Sequence, residues 1–375
     1  MRNEEMVLKN DELISMRLRS LYRAHGYMQY KMSKFEEYDL YASNKDFLIS
    51  DHVITFTDTN GKLMALKPDV TLSIIKNSKD GARGVQKVYY SENVYRVSGS
   101  TRAFKEIMQT GLECMGEIND YAITEVLMLA AESLACISPD YVLDISHLDI
   151  VSAMLDGWDI TPETRSTVFA AVGEKNRHAI AALATEAGVP CSLGEPLLEL
   201  VALGGSAAEV LPRLEEIVKT PAAIAPAKKL VRIVSALIAA GFGERVRIDF
   251  SVINDMNYYN GIVFKGFVNG VPAGVLSGGQ YDRLMTKMGK KASAIGFAVY
   301  LDLLERLCED AARYDVDTVL LYDADADLAA VSAAVRELLT GCESVTAQCA
   351  LPEKLTYRRL VRLCGNEVRE VEADA

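Results

Sequence analysis

Apolar and polar residues alternate along this chain with two different periods, and the periods divide it. In residues 10–25, Leu13, Ile14, Met16, Leu18, Leu21 and Tyr22 fall at mostly helical spacing, with Asn10 or Asp11 placed to cap and Gly26 to stop the helix; Gly26-Tyr27 begins a strand. Ile54 and Phe56 face Leu63 and Ala65 across the turn 58–61, which predicts a hairpin running into Leu66-Lys67-Pro68-Asp69-Val70-Thr71. Residues 85–90, 94–97 and 107–115 read as two strands around a polar loop at 98–102. The run AITEVLMLAAESLA predicts a strong helix with Glu125 and Glu132 facing out, and DYVLDISHLDIV a strand.

Residues 150–240 are rich in Ala and Leu, and Gly157, Gly188 and Gly204-Gly205 cut them into four or five helices. Helix starts are expected at Thr161-Pro162-Glu163 and at Pro212, and 221–229 reads as a loop into a last helix, 230–240. Period two returns with Val246, Ile248 and Phe250. Further apolar runs at 262–267 and 273–276, around the Asn269-Gly270 turn, predict an antiparallel meander, closed by a strand or helix over 294–307. From Tyr314 the order strand, helix, strand, helix (KLTYRRLVRL), strand predicts a small α/β unit with a parallel sheet. The expected domains are 1–150 and 241–312 as two parts of one core, 151–240 as a helical insertion, and 313–375 as the terminal unit.

Composition narrows the function classes. Half of the 375 residues are hydrophobic and a quarter charged, as in an ordinary globular protein. No segment approaches the roughly 20 consecutive apolar residues of a membrane helix, and MRNEEMVLKNDEL has no apolar signal region, so a cytoplasmic protein is expected. The seven cysteines are scattered without a C-x-x-C, and the four histidines are isolated, which argues against a disulfide frame, a zinc site or a histidine-based catalyst. The net charge of −12, with no dense Lys/Arg run, disfavours a grip on tRNA.

Candidate chemistry sits in five stretches. LKPDVT places Asp69 and Thr71 at a helix start, where an acid is favourable for capping alone. Gln109 and Glu113 are four apart on a predicted strand, hence on one face, with Gly111 leaving room between them. DMNYYNGIVF, SGGQYDRL and AIGFAVYLD then follow in order.

These stretches resemble, in order and spacing, histidyl-tRNA synthetases: the helix and strand at 10–30 a degenerate first class II signature with Ser33 where a proline is usual, Tyr95-Arg96 through Glu113 the second signature, and 255–302 the histidine-binding segment and third signature. The resemblance implies an α+β fold, a class II synthetase-like antiparallel sheet flanked by helices, and a shortened anticodon-binding-like unit at the end. It implies that Asp69, Thr71, Gln109, Glu113, Tyr258, Tyr259 and Tyr281 bind histidine, with Gly111, Gly261, Gly278 and Gly279 letting backbone come close, and that Arg96 contacts a phosphate. The departures are as informative. Asn254, Gln280 and Leu303 stand where the synthetases have arginines, Tyr300 stands where they have a glycine, and the loop before Ala103 lacks their glycine-arginine pair, leaving Arg102 and Lys105.

A kept amino-acid seat and lost nucleotide charges mark the synthetase-like regulatory subunits of ATP phosphoribosyltransferase. Such a subunit would be no enzyme and need no metal or cofactor. It would bind free histidine for feedback inhibition and activate the short-form catalytic subunit, as a homodimer within a hetero-oligomer. The rival expectations are an active or divergent synthetase, or an amino-acid-activating paralogue, and a scaffold with a vestigial pocket.

Overall fold

The first amphipathic stretch forms helix α1 (Asn10–Ala24), which turns Ile14, Leu18 and Tyr22 into the core and ends ahead of Gly26 at φ +81°. In this computed structural model residues 10–48, 53–78, 84–97, 103–253, 258–308, 314–342 and 344–371 are described. Strand β1 (Met28–Gln29) follows, then β2 (Phe35–Glu37), helix α2 (Tyr38–Ala42), and the expected hairpin of β3 (Thr55–Thr57) and β4 (Leu63–Leu66). β2, β4 and β3 pair in that order as a separate three-stranded sheet, from which the chain enters α3 (Thr71–Asn77).

β5 (Val85–Val97) and β6 (Phe104–Gly116) make one long antiparallel hairpin; its tip, with Arg102, lies outside the described residues. The Asn119 side chain caps α4 (Asp120–Ile137) by accepting from the Ala122 N–H at 2.9 Å. Glu125 does not face out as its spacing suggested: it is buried and paired with Lys87 Nζ at 2.6 Å. A helix covered on more than one side has no fully wet face, so this carboxylate is buried with a cation.

β7 (Tyr141–His147) ends earlier than expected and passes straight into α5 (Leu148–Leu155). Then come α6 (Pro162–Gly173), capped by Thr161 as expected, α7 (Arg177–Glu186), α8 (Cys191–Ala202), β8 (Gly204–Ser206), α9 (Ala207–Ile217) and α10 (Pro221–Leu237). Pro212 does not start a helix and 221–229 is not a loop: Pro212 and Pro226 lie inside α9 and α10. An interior proline costs about 3 kcal/mol. Burial of Val210, Leu211 and Leu214 on α9, and of Leu230, Ile233, Val234 and Leu237 on α10, offsets it at about 1.5–3 kcal/mol for each fully buried side chain.

β9 (Val246–Asp249), β10 (Asn260–Val268), β11 (Leu276–Gln280), α11 (Asp282–Lys287) and β12 (Ser293–Tyr300) complete a nine-stranded sheet of order β1-β5-β6-β12-β11-β10-β7-β9-β8. Neighbours are antiparallel except β1 with β5 and β7 with β9, which run parallel. The expected meander is therefore β10-β11-β12; β9 is separated from it by β7, because parallel pairing with β7 places β9 on β7's far side. One face of the sheet carries Leu112, Cys114, Ile295, Phe297, Ile262 and Phe264 into a core shared with α1, α4 and α10. The opposite face carries the alternate residues of the same strands.

These elements, Ile14–Leu307, form one unit; a smaller unit groups Cys308–Ala375 with Met1–Leu13. It contains β13 (Val316–Leu321), α12 (Leu328–Leu338), β14 (Val345–Gln348), β15 (Tyr357–Cys364) and β16 (Glu367–Glu370), with sheet order β14-β13-β15-β16. The stretch expected as its second helix is strand β15, and the sheet is mixed, since β16 pairs antiparallel with β15. Val361 and Leu363 are buried while Arg362 and Cys364 are exposed, a period of two, and Gly365 at φ +64° turns the hairpin into β16. Among the described residues no helix is long and apolar enough to cross a membrane, and no group of His, Cys, Asp and Glu could hold a metal ion.

Candidate functional site

On the sheet face away from the α4 core, small residues leave a hollow. Gly296 on β12 lies opposite Glu113 on β6, and Ala298 opposite Gly111. A side chain at Gly296 would overlap the Glu113 carboxylate, and one at Gly111 would overlap the Tyr90 hydroxyl. The hollow is a cavity of about 290 Å³, walled by α3, the hairpin β5–β6, β11, β12 and the tyrosines at 258, 259 and 281. Asp69, Thr71, Gln109, Glu113, Tyr258, Tyr259, Tyr281 and Arg96, drawn from stretches far apart in sequence, all line it.

Asp69 does both things open to it. Its Oδ1 accepts from the Leu72 N–H at 2.9 Å and so caps the first turn of α3, and its carboxylate still lines the cavity. Glu113, 2% exposed, accepts from Thr71 Oγ1 at 2.7 Å and from the Tyr281 hydroxyl at 2.6 Å. Tyr258 packs on Tyr259 at 4.5 Å between ring centroids and on Tyr281 at 6.0 Å. Arg96 donates through Nε to the Pro68 carbonyl at 3.0 Å. Gln109 is 3% exposed and its Nε2 has no hydrogen-bond partner, an uncompensated donor inside a polar hollow.

Burial sets the electrostatics. It raises the Asp69 carboxyl above its ordinary range, against the opposing pull of the Leu72 N–H and the Arg96 charge. Burial pushes Glu113 up to about 8, opposed by the hydroxyls of Tyr281 and Thr71 and reinforced by the Asp69 charge. Two acids that cannot both ionise cheaply favour a ligand that brings a positive charge.

The glycines expected to admit a ligand are filled by the protein's own side chains. The space over Gly279 is taken by Tyr259, that over Gly261, at φ +61°, by Gln280, and that over Gly278 by Phe297 and Phe264 on the core side. Gln280 itself does not line the cavity: its Oε1 accepts from the Ile262 N–H at 3.0 Å, where the β10–β11 register shifts between Asn260 and Val263. Leu303 packs on the core, Lys105 is exposed, and Asn254 lies outside the described residues. Tyr300 is in the cavity wall, where burial raises its phenol and the Arg96 charge opposes the rise. Sequence reasoning missed Tyr90, Ser277 and Gly296 as lining residues. Even spacing would have found Tyr90 from Arg96 on β5, and Gly296 from Tyr300 on β12.

Comparison with known proteins agrees with this architecture. A family profile described as Histidyl-tRNA synthetase matches residues 4–304. The ATP phosphoribosyltransferase regulatory subunit of Ruminiclostridium cellulolyticum is 25% identical over 320 residues, 83% of this chain and 76% of that protein. A crystal structure described as an ATP phosphoribosyltransferase regulatory subunit/histidyl-tRNA synthetase from Bacillus halodurans superposes with a TM-score of 0.75 at 22% identity, over 94% of this chain and 93% of that one. A chain of an ATP phosphoribosyl transferase (HisG:HisZ) complex from Thermotoga maritima superposes with a TM-score of 0.62 at 18% identity, over 78% of this chain and 98% of that one. At those identities the structural likenesses establish the fold, an α+β class II arrangement of the histidyl-tRNA synthetase kind.

Proposed function

The chain belongs to the histidyl-tRNA synthetase family, and from that premise we propose that it is a non-catalytic regulatory subunit of ATP phosphoribosyltransferase that holds free histidine in the tyrosine-walled cavity. The single observation that carries this reading is the makeup of the cavity. Among the described lining residues are two buried acids, four tyrosines besides Tyr300, a glutamine and one cation, Arg96. Carboxylates suit an ammonium, and phenols and amides suit an imidazole ring. A nucleotide triphosphate would meet too little positive charge to offset its desolvation. The curated relative's role as a regulatory subunit fits a seat that binds without activating.

In this account Asp69 and Glu113 hold the α-ammonium, with Thr71 and Tyr281 orienting Glu113 through the hydrogen bonds already present. Gln109, Tyr258 and Tyr259 surround the side chain. The subunit works in the cytoplasm without cofactor or tRNA, as a homodimer within a hetero-oligomer with the short-form catalytic subunit. It activates that subunit, and bound histidine lowers the activity. Linkage makes the effect reciprocal: if histidine disfavours the active state, the substrates of the catalytic subunit weaken histidine binding by the same factor, with a coupling of about 1–3 kcal/mol.

Calorimetry on the purified full chain is expected to show histidine binding that Asp69→Ala and Glu113→Ala each abolish. Undiminished binding in both variants would refute the site. Pyrophosphate exchange with histidine and ATP is expected to be absent, and a positive result would return the chain to the synthetases.

A further inference from the structure

Behind the tyrosine wall of the cavity the chain presents a face rich in positive charge. The whole chain carries −12, yet residues 283–291 hold Arg283, Lys287, Lys290 and Lys291 and no acid. Arg283 and Lys287, a turn apart on α11, are both exposed and stand on one side of the helix. They line two crevices together, one completed by Asp149, Asn260, Asp282 and Thr286, the other by Asp46 and Phe47. Two of the acids there are engaged with backbone. Asp282 accepts from the Ala294 N–H at 2.9 Å and from Asn260 Nδ2 at 3.1 Å, and Asp149 accepts from the Gly261 N–H at 3.4 Å. Asp46 is exposed and accepts from Lys287 Nζ at 2.9 Å.

This face is built on the residues that wall the cavity. Lys287 Nζ lies 4.7 Å from the centroid of the buried Phe47 ring, and that ring packs edge-on against Tyr258 at 6.4 Å. Asn260 follows Tyr259 in the chain and Asp282 follows Tyr281, and the Asn260 side chain ties the two segments, since its Oδ1 also accepts from the Arg283 N–H at 3.4 Å. A guanidinium fork and an ammonium held over an aromatic ring are suited to carboxylates. Set along open crevices rather than inside an enclosure, they suit the carboxylates of a protein surface. We propose that the α11 face bearing Arg283 and Lys287 docks an acidic segment of the partner protein, which then rests against the back of the tyrosine wall. This rests on the reading of the chain as a regulatory subunit of ATP phosphoribosyltransferase. A partner seated there feels any shift of Tyr258 through Phe47, and of Tyr259 and Tyr281 through the Asn260–Asp282 tie. Opposite charge also speeds the encounter and fixes its register.

The test is the dissociation constant between the full chain and the catalytic subunit, measured without histidine for the wild type and for the double variant Arg283→Glu, Lys287→Glu. The wild-type complex is expected to weaken with added salt. The double variant should bind the catalytic subunit at least about tenfold more weakly, and its isolated chain should still bind histidine. Association as tight in the double variant as in the wild type would overturn the docking face and leave the regulatory reading standing. If the wild-type chain and the catalytic subunit do not associate at all, that reading fails and the docking face with it. A double variant whose isolated chain drops to a lower oligomeric state would give the face to a second copy and overturn its assignment to a different partner. Should the double variant fail to fold, Arg283→Gln and Lys287→Gln carry the test singly: weaker association at an unchanged melting temperature supports the face, and unchanged association in both overturns it.

Discussion

Glu113 concentrates the cost of the cavity in one residue. Its carboxyl titrates near 8 in the fold, against an ordinary value of 4.5, because burial disfavours its charge. Between those values the folded chain holds a proton that the unfolded chain releases, so the unfolded state binds fewer protons and stability falls as pH rises. The ligand-free protein is therefore expected to melt at progressively lower temperature from about pH 5 to pH 8, and Glu113→Gln to lose that slope, as thermal denaturation across the range would report. His147 works in the opposite sense. It is buried with neither ring nitrogen hydrogen-bonded, and burial holds it down to about 4, against an ordinary 6.5. Here the unfolded state binds the extra proton, so this contribution is lost as pH falls from about 6.5 toward 4. His147→Gln should flatten the acid limb of the same melting curve.

At the scale of elements, the cavity depends on how the segment before α3 is tied to β5. Lys67, with a side chain wholly buried, donates to Glu92 at 2.6 Å, and the Tyr95 N–H donates to the Lys67 carbonyl at 2.9 Å. Removing one partner of a buried pair leaves the other charge uncompensated, so Lys67→Met is expected to cost about 3–5 kcal/mol in denaturant unfolding. Replacing Lys67 and Glu92 together should recover most of it. Gly296→Ala is expected to destabilise by about 1–3 kcal/mol, since the new methyl meets both the Glu113 carboxylate and the Leu112 carbonyl.

The same scale shows how far the residue pattern could be read. The hairpin β5–β6, the sheet face shared by Gln109 and Glu113, and the end of α1 at Gly26 were legible, because each is a matter of local period and turn chemistry. The place of β9 beyond β7 was not, because pairing between distant strands leaves no local mark. Pro212 and Pro226 misled because packing overrode propensity. β15 misled because its arginines mimic the polar face of a helix while Val361 and Leu363 keep a strand's alternation. At the site, the side chains that line the hollow followed from the motifs. The glycines took another role, since spacing cannot tell whether a ligand or a neighbouring tyrosine fills the room above them.

For the whole molecule, a net charge of −12 and a cavity with one lining cation among the described residues point the same way, toward a small zwitterion and away from polyanions. The smaller unit is acidic as well, with twelve Asp and Glu against six Lys and Arg over 315–375. That is the wrong sign for an RNA stem. On the proposed function, sensing falls to the hollow of the large sheet and catalysis to a partner. Its most direct test is the activity of the reconstituted ATP phosphoribosyltransferase with rising histidine, using the wild-type chain and Asp69→Ala. The account predicts that histidine inhibits the wild-type complex and that the variant complex assembles, turns over and no longer responds. Inhibition undiminished in Asp69→Ala would contradict it, because histidine would then be acting somewhere other than this cavity.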